Sequence, residues 1–465
     1  MLTSSKMDTS NATSRRYDRL GECFSFPYKD AHIVYLPLDA TVYITKSVVV
    51  EALSKYNNGG SELTDKETEL VERIKVSRQG SSEPRLGSEP ASEPASEFKP
   101  TSVTLSTSAQ CSMRCIYCYA NAGDFDDTMP WEIAKAAIDL VANNAVETDQ
   151  DVFEVGFHGE GEPTHNWSLL KQCVEYAEKV ADQLKKKPVF SLCTNGILSK
   201  SKIHFLADHQ IGFTASVDGI KEVQDLQRPL RKGAGSFGVV LKTLQQFDRL
   251  GHDYSIRATV TKLGVDKMAE FVEFLAANLK VKDVFFEPVS SVGRGLGGDL
   301  GVDPSRFIAE FRKSKALGAA MGINVGYSAL KTDQLTNTFC GAVGPVVNFM
   351  VTSTGTATSC YEVLTPEDPR SKDFIYGRFD KATSKFSFNK KMLKNLEQFS
   401  VQNRDACKDC FVRWHCAGDC LARAAQSGDL INHVDPVRCE ITKQLSADEL
   451  VRAVLNNEFC SERSN

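Results

Sequence analysis

Three closely spaced cysteines are the residues of this sequence best suited to redox chemistry. Cys111, Cys115 and Cys118 have three and then two residues between them. Thiolates at this spacing on one short loop can bind the same iron–sulfur cube. A [4Fe–4S] cube has one more iron than this loop has thiolates, so one iron is left without a protein ligand. The motif therefore predicts a cluster whose open iron can bind a small molecule and pass an electron to it.

A second group of cysteines lies near the carboxyl end. Residues 194–339 contain no cysteine, whereas residues 340–439 contain seven of the 14 in the chain. We expect no secretory signal, because the first residues lack an apolar core. In a reducing compartment, concentrated cysteines favour metal ligation over disulfides. Zinc at the C-x-x-C pair Cys407 and Cys410 is an alternative, but seven cysteines exceed the ligands of one zinc ion.

The composition is that of an ordinary globular protein. The 465 residues are 42% hydrophobic and 25% charged, and the net charge of −5 gives no basic surface for nucleic acid. The apolar runs are far shorter than the roughly 20 residues that span a bilayer. We therefore expect a cytoplasmic protein of two or three domains that binds neither nucleic acid nor a membrane.

Two segments of biased composition isolate an N-terminal module. Residues 1–20 are rich in Ser and Thr and predict a disordered tail, and residues 79–99 form a Ser-Glu-Pro repeat that predicts a solvated linker. Between them, residues 21–78 contain two predicted strands and two predicted helices, with Thr64 as the N-cap of the second helix. The module is either a small packing domain or a peptide-recognition domain.

Residues 100–330 alternate strand-like runs with helical patterns six times. Parallel strands need helical crossovers, so the pattern predicts an α/β fold with a partial (β/α)6 TIM-like barrel. A Cys-rich iron–sulfur domain would follow over residues 331–445, and a C-terminal helix and tail over residues 446–465. Chemistry in such barrels lies at the C-terminal ends of the strands. The cysteine triplet directly follows the first strand and hence lies at that end.

Polar residues follow or end the next four strands. Glycine lets a backbone approach a ligand closely, a carboxylate can bind an amine, and hydroxyl and carboxylate groups suit ribose. These positions therefore predict a site for a ligand that carries an amino acid and a ribose. The residues are Gly161, Glu162, Asn195, Ser216, Asp218 and Arg257.

Two motifs resemble those of radical S-adenosylmethionine enzymes. Tyr117 precedes the last cysteine of the triplet, as in the cluster loop of that superfamily, and the segment HGEGEP resembles its Gly-Gly-Glu motif. The resemblance covers roughly residues 100–290. It implies that the triplet holds a [4Fe–4S] cluster and that Glu162 binds the methionine amine of S-adenosylmethionine, and it gives Glu160 no role. The cofactor site would be completed by Gly161, Asn195, Ser216, Asp218 and Arg257.

In that superfamily the cofactor binds the open iron, and its reductive cleavage gives a 5′-deoxyadenosyl radical that removes a hydrogen atom from the substrate. A flavodoxin- or ferredoxin-type reductant would be the redox partner. The residues that act on the substrate are not identified by the motifs. Tyr117, Asp124 and Glu287 are only candidates at the mouth, His158 is expected to be structural, and Cys193 is expected to pack in the core.

The downstream cysteines resemble the SPASM extension of these enzymes, which carries two auxiliary clusters. Their pattern is C-x14-G-x4-C, then C-x2-C-x5-C-x3-C, then a last cysteine. Residues 341–354 contain no cysteine, so we predict that the first auxiliary cluster has an open iron or a non-local fourth ligand. The resemblance assigns the first cluster to Cys340, Cys360 and Cys420. It assigns the second to Cys407, Cys410, Cys416 and Cys439.

These resemblances imply a radical S-adenosylmethionine peptide maturase. Its substrate would be a ribosomally made precursor peptide, in which it installs a thioether, a C–C or a C–O crosslink. One alternative is formylglycine formation on a protein, as in anaerobic sulfatase maturases. The other is a non-catalytic iron–sulfur electron carrier.

Overall fold

The computed structural model describes residues 14–28, 30–39, 41–59, 63–79, 97–344, 346–430 and 433–455. Most of the predicted tail and linker lies outside these ranges. The predicted tail overlaps the described residues at positions 14–20. There the prediction is wrong, because these residues contain a strand and a short 3₁₀ helix. Leu20 is buried against the first helix of the module, which explains the order of this segment.

A four-stranded antiparallel sheet forms the N-terminal module, with its strands in sequence order. Thr64 caps the second helix as predicted: its Oγ1 accepts from Glu67 N at 3.3 Å, and its own N donates to the Glu67 carboxylate at 2.9 Å. Two of the four strands were not predicted. The elements are β1 (Arg15–Arg16), β2 (Phe24–Tyr28), β3 (Ala31–Leu36), β4 (Thr41–Thr45), α1 (Ser47–Asn57) and α2 (Asp65–Gln79).

Six parallel strands in sequence order confirm the predicted partial (β/α)6 barrel. The strands are β5 (Ser102–Leu105), β6 (Val152–Phe157), β7 (Lys187–Thr194), β8 (Gly212–Ser216), β9 (Tyr254–Val260) and β10 (Asp283–Pro288). The helices between them are α3 (Trp131–Glu147), α4 (Trp167–Leu184), α5 (Lys200–Asp208), α6 (Lys221–Gln227), α7 (Phe237–Leu250) and α8 (Met268–Asn278). Helix α9 (Pro304–Met321) then leads to β11 (Asn324–Gly326), which adds a further parallel strand beside β10.

The barrel strands have one apolar and one polar face. In β9, Tyr254, Ile256 and Ala258 are buried, whereas Arg257 between them is exposed. Successive side chains of a strand point to opposite faces, so the buried residues pack under the helices and the alternate residues line the interior. Similar alternation occurs in β7, where Val189 and Ser191 are exposed. The inner face of these strands therefore carries polar side chains such as Ser191 and Arg257, together with the apolar Val189.

The C-terminal part continues the barrel sheet. Strand β12 (Met350–Val351) pairs in parallel with β5 and starts an antiparallel extension that completes an 11-stranded sheet. Helix α14 begins ten residues before the predicted C-terminal helix, and residues 456–465 lie outside the description. The strands are β13 (Thr356–Thr358), β14 (Ile375–Asp380) and β15 (Lys385–Phe388). The helices are α10 (Ser371–Phe374), α11 (Lys390–Glu397), α12 (Arg413–Cys416), α13 (Leu421–Gln426) and α14 (Pro436–Leu455).

The N-terminal module packs against the cysteine-bearing segment 407–416. Phe26 of β2 stacks on Phe411 with 4.1 Å between ring centroids. Trp414 Nε1 donates to the buried Glu22 carboxylate at 2.9 Å, and the Tyr35 hydroxyl is hydrogen-bonded to the next residue, His415. A module that is remote in sequence is thus joined to the C-terminal domain through a buried interface. In the part of the chain described, no helix combines the length and the apolar character needed to cross a bilayer.

Candidate iron–sulfur and cofactor site

The loop after β5 carries the cysteine triplet and is held by a neighbouring backbone segment. Residues 227–231 run beside this loop, and Arg231 N, Arg114 N and Ile116 N make backbone hydrogen bonds of 2.8–3.0 Å between the two. Such bonds fix the loop without using its thiols. Their positions therefore depend on a segment more than 100 residues away in sequence.

The three thiols of the triplet are near one another and largely shielded from water. Cys111 and Cys115 are buried, and Cys118 is half-buried. Burial raises the pKa of Cys115 to about 12, Arg228 lowers it, and the charges of Cys118 and Cys111 contribute to the rise. A bound metal holds such thiols as thiolates, because it supplies the positive charge that burial denies them. The triplet therefore fits a metal cluster.

Asp218 is committed to supporting the cluster loop. Its carboxylate accepts from the Tyr117 hydroxyl, from Gln227 Nε2 at 2.8 Å and from Thr259 N at 3.0 Å, and its side chain has no exposed surface. Arg228 donates to the Tyr117 hydroxyl at 2.7 Å. The predicted ribose contact of Asp218 does not agree with this geometry. Tyr117 is likewise a part of this network and not a free acid at the mouth.

Glu162 is also held by several donors. Its Oε1 accepts from Thr164 N at 3.2 Å and from the Thr194 hydroxyl at 2.9 Å, and its Oε2 accepts from Asn195 N at 2.7 Å. Oε2 keeps a lone pair that an ammonium group could use. The preceding Gly161 lies so close to the cluster loop that an added Cβ would be 2.4 Å from the carbonyl oxygen of Gln110. Glycine at this position thus allows the close approach of the two segments.

The remaining predicted cofactor residues surround the same opening. Asn195 Nδ2 lies 3.7 Å from the Cys111 sulfur. Ser216 and Arg257 are register partners on β8 and β9, and both lie on the inner face of the barrel. The structure therefore brings an amide, a hydroxyl and a guanidinium to the cluster end of the barrel, where they could contact polar groups of a cofactor.

A half-buried histidine lies between two tyrosines, each of which directly follows a predicted cluster ligand. His158 contacts the rings of Tyr119 and Tyr361, at 6.4 and 5.3 Å between centroids. Burial, with a smaller effect of Arg257, lowers the pKa of His158 to about 4. The sequence predicted a structural histidine but not this position between two cysteine groups. The sequence did contain a signal for this position, because Tyr119 directly follows Cys118 and Tyr361 directly follows Cys360.

Two further residues differ from the sequence predictions. Cys193 is half-buried on the inner face of β7 and is not a core residue. Glu160, which was given no role, accepts a 2.6 Å hydrogen bond from Ser353 N in the turn between β12 and β13. Glu160 thus joins the motif after β6 to the C-terminal extension.

The cysteines assigned to the first auxiliary cluster converge beside β13. Cys360 is buried, Cys420 is half-buried and Cys340 is exposed. The pKa of Cys420 is raised to about 12 by burial and then by the charges of Glu362, Asp419 and Cys340. Cys340 and Cys420 have 79 residues between them in the sequence, yet they form one local group with Cys360.

The cysteines assigned to the second auxiliary cluster form another group. Burial raises the pKa of Cys410 to about 12, Lys443 lowers it, and Cys439 and Cys407 contribute to the rise. Burial and the charges of the same three thiols also raise the pKa of Cys416. Lys443 lies one helical turn after Cys439 on α14 and was not predicted. It is a cation beside thiolate ligands, whose negative charge it can balance.

A buried ionic group connects the barrel to both auxiliary cysteine groups. Arg438 donates to Asp419 at 2.7 and 2.8 Å and to Glu287 at 3.2 Å. Asp419 precedes Cys420, Arg438 precedes Cys439, and Glu287 is the penultimate residue of β10. Glu287 also accepts from Ser328 N at 2.8 Å, so it is not a free acid or base at the mouth. Asp124, the other acidic candidate, is exposed and lies 3.7 Å from Arg114.

The arrangement of these groups differs from that of a single-ion site. Among the residues described, no three His, Cys, Asp or Glu side chains are placed to hold one metal ion. Ligands of an iron–sulfur cube bind different irons and hence do not converge on one point. Three groups of neighbouring cysteines, half of them buried, fit that requirement.

The Radical SAM superfamily matches residues 105–275. These residues form a radical SAM domain. Two curated relatives overlap with it. An uncharacterized protein of Methanocaldococcus jannaschii is 30% identical over 184 residues, which are 39% of this chain and 60% of the relative. The Fe-coproporphyrin III synthase of Methanosarcina barkeri is 27% identical over 218 residues, 45% of this chain and 50% of that enzyme. The chain thus spans 60% or less of the length of these relatives.

Solved structures with radical SAM folds cover more of the chain. Native anSMEcpe with bound AdoMet is 19% identical and has a TM-score of 0.61, covering 76% of this chain and 99% of its own. Streptococcus suis SuiB bound to the precursor peptide SuiA is 15% identical and has a TM-score of 0.52, covering 91% of this chain and 99% of its own. At these identities the likeness shows the fold, which extends beyond the radical SAM domain into the C-terminal part.

Proposed function

We propose that this protein is a radical S-adenosylmethionine maturase that modifies a ribosomally made precursor peptide. When bound, the cluster and S-adenosylmethionine supply a 5′-deoxyadenosyl radical that abstracts a hydrogen atom from the substrate. The proposal is supported by the cysteine pattern, in which ten described cysteines fall into three local groups and the first follows β5 at the C-terminal end of the barrel strands. One group follows β5, and two lie in the C-terminal extension.

The residues of the barrel end would bind and orient the cofactor. Glu162 Oε2 would accept from the amine, and Asn195, Ser216 and Arg257 would contact its ribose and carboxylate. Asp218 and Arg228 would keep the cluster loop in place from behind. Part of a substrate peptide would then lie next to the cofactor at the C-terminal ends of the strands.

The N-terminal module is the proposed peptide-docking domain. In the described residues, β4 pairs only with β3, so its outer edge offers unpaired backbone groups. A peptide can add to such an edge as a further strand. The module contacts segment 407–416, so a peptide docked there would reach the barrel along the C-terminal domain. The similarity to Streptococcus suis SuiB, whose structure contains the precursor peptide SuiA, supports a peptide substrate.

The proposal is tested by anaerobic incubation of the reconstituted protein with S-adenosylmethionine, dithionite and a candidate precursor peptide. Each crosslink should remove two hydrogen atoms from the peptide, and mass spectrometry would detect this. Cys115→Ala should abolish both this change and the release of 5′-deoxyadenosine. Release of 5′-deoxyadenosine with no change in any peptide encoded beside the gene would contradict the proposal.

Formylglycine formation is the second candidate function. It is supported by the similarity to anSMEcpe, whose structures include complexes with AdoMet and a Cys-containing peptide named Kp18Cys. A protein or peptide substrate would then lose its thiol and gain an aldehyde. Reaction of the product with a hydrazide reagent would identify this outcome, whereas a crosslinked product would not react.

The number of auxiliary clusters is tested by iron analysis. Three [4Fe–4S] clusters correspond to about 12 irons per chain. A value of about four would leave only the radical SAM cluster, and the proposed role of the C-terminal cysteines would be wrong. An electron carrier without catalysis would contain the irons but would not cleave S-adenosylmethionine.

A further inference from the structure

Glu362 lies in the middle of the first auxiliary cysteine group. It is two residues after Cys360, and its backbone N donates to the Cys360 sulfur at 3.5 Å. Its carboxylate is close enough to raise the pKa of both Cys360 and Cys420, after the larger effect of burial. The charge of this carboxylate also raises the pKa of a third thiol, that of Cys340, again after the larger effect of burial. One carboxylate therefore lies within electrostatic reach of all three cysteines, and the backbone N of the same residue contacts one of them.

One oxygen of this carboxylate has no hydrogen-bond partner. Glu362 Oε2 is buried, although the side chain as a whole is 22% exposed. Its nearest charge is Arg370 NH1 at 3.5 Å, beyond a good charge-assisted hydrogen bond. Arg370 is itself engaged by Asp368, through bonds of 2.8 and 3.0 Å. A buried carboxylate oxygen left without a donor is costly unless something else binds it.

The other carboxylate of this group is fully occupied. Asp419 also acts on Cys420, but both of its oxygens accept from Arg438. Three thiolates and a further carboxylate would repel one another strongly in a poorly solvated site. Iron removes that repulsion, because carboxylate oxygen and thiolate sulfur both bind it.

We propose that the Glu362 carboxylate is the fourth protein ligand of the first auxiliary cluster. Three cysteines leave one iron of a [4Fe–4S] cube open, and Glu362 Oε2 is the unpartnered donor atom beside them. An iron–carboxylate bond would be replaceable by a thiolate, which is the softer ligand. The inference rests on the proposed auxiliary cluster and names the ligand that the cysteine pattern does not supply.

The location of Glu362 gives this ligand a functional position. Tyr361, the residue before it, contacts His158, which in turn contacts Tyr119 of the radical SAM cluster loop. Exposed Cys340 lies on the accessible side of the same group. A substrate thiol that entered between the two cysteine groups could therefore replace Glu362 on the iron.

The experiment compares wild type with Glu362→Gln, Glu362→Cys and the matched control Glu367→Gln, an exposed glutamate in the same loop. All are made as full chains that also carry Cys111→Ala, Cys115→Ala and Cys118→Ala, so that only auxiliary clusters remain. Growth with ¹³C-carboxyl glutamate allows pulsed ENDOR to detect a carboxylate carbon bound near the reduced cluster. Iron content and the EPR spectrum are measured on the same samples.

We expect a ¹³C coupling in the wild-type background and in Glu367→Gln that is absent from Glu362→Gln and Glu362→Cys. L-cysteine should change the EPR spectrum of the wild-type background and leave that of Glu362→Cys unchanged. Loss of about four irons in Glu362→Gln that Glu362→Cys restores would also support ligation. No coupling, or an identical coupling in Glu362→Gln, at about eight irons per chain would refute the inference. About four irons in the unsubstituted background would instead contradict the auxiliary cluster itself.

Discussion

Arg438→Met should loosen the attachment of the C-terminal domain to the barrel. The Arg438, Asp419 and Glu287 side chains are 3%, 7% and 8% exposed. Removing the guanidinium leaves two buried carboxylates without their cation. Breaking a buried ion pair from one side costs about 3–5 kcal/mol. Because each 1.4 kcal/mol is a factor of ten, local opening should become about 100-fold to several thousand-fold more frequent.

Native-state hydrogen exchange with mass spectrometry measures this opening. Peptides from α13 and α14 should exchange faster by about that factor in Arg438→Met, whereas peptides from α3, on the outside of the barrel, should not change. The matched control is Arg452→Met. Arg452 lies on the same helix, is 54% exposed and pairs with Glu449 three residues away. Such a pair contributes roughly 0.5 kcal/mol, so the control should exchange within a few-fold of wild type.

A variant that also lacks the two unpaired carboxylate charges tests why Arg438→Met opens more often. Adding Asp419→Asn and Glu287→Gln to Arg438→Met removes both uncompensated charges while keeping side chains of similar size. Exchange in α13 and α14 should return most of the way towards wild type. If Arg438→Met behaves like Arg452→Met, or if the compensated variant opens as often as Arg438→Met, the buried ionic group does not hold the domain in place.

Three further predictions concern the radical SAM domain and the N-terminal module. Gly161→Ala should weaken S-adenosylmethionine binding more than tenfold in calorimetry, because the new Cβ meets a backbone carbonyl at 2.4 Å, whereas Gly301→Ala, which meets nothing within 4 Å, should bind normally. His158 has its pKa lowered from 6.5 to about 4, so the unfolded chain binds more protons between these values and stability falls as the pH falls from about 6.5 to 4. His158→Phe should flatten the pH dependence of the unfolding midpoint over that window, and an unchanged profile would contradict the assignment. Tyr35→Phe should cost about 1–3 kcal/mol at the module interface, because the buried Nε2 of His415 loses its partner while Nδ1 keeps its contacts with backbone carbonyls. Hydrogen exchange in residues 411–416 should become faster, and exchange equal to wild type would refute this.

The alternation of elements was predictable because it is a local property. Hydrophobic period and turn residues mark each strand and helix of the barrel, and Thr64 marked a helix start by its own chemistry. Strand β2 was missed because Pro27 interrupts an otherwise strand-like run. In the structure β1 pairs only with Phe24 and Ser25, so Pro27 lies beyond that pairing, and on its other side it is the register partner of His32 in β3.

At the candidate cofactor site, too, the sequence predicted some features, and others were visible only in the structure. Glu162 and Asn195 were selected by their place after a strand, and in the structure Asn195 contacts both Glu162 and Cys111. Asp218 was also selected by its place after a strand, but its carboxylate oxygens accept hydrogen bonds from residues of three different segments. Glu160 was dismissed, although it bonds a turn almost 200 residues away. Position along a strand predicts proximity to the site, but not which partner occupies a side chain.

The sequence by itself determined that three cysteine groups, a six-unit α/β barrel and a separate N-terminal module exist in this chain. Spacing and periodicity encode these features, because both reflect interactions between near neighbours. Only the tertiary structure decided that the module packs on segment 407–416 and that Arg438 joins the barrel to both auxiliary groups. It also decided that Glu362 Oε2 is buried without a hydrogen bond beside the first auxiliary group. Those facts depend on contacts between distant segments, where burial and unpaired charge select the partners, and no local pattern records them.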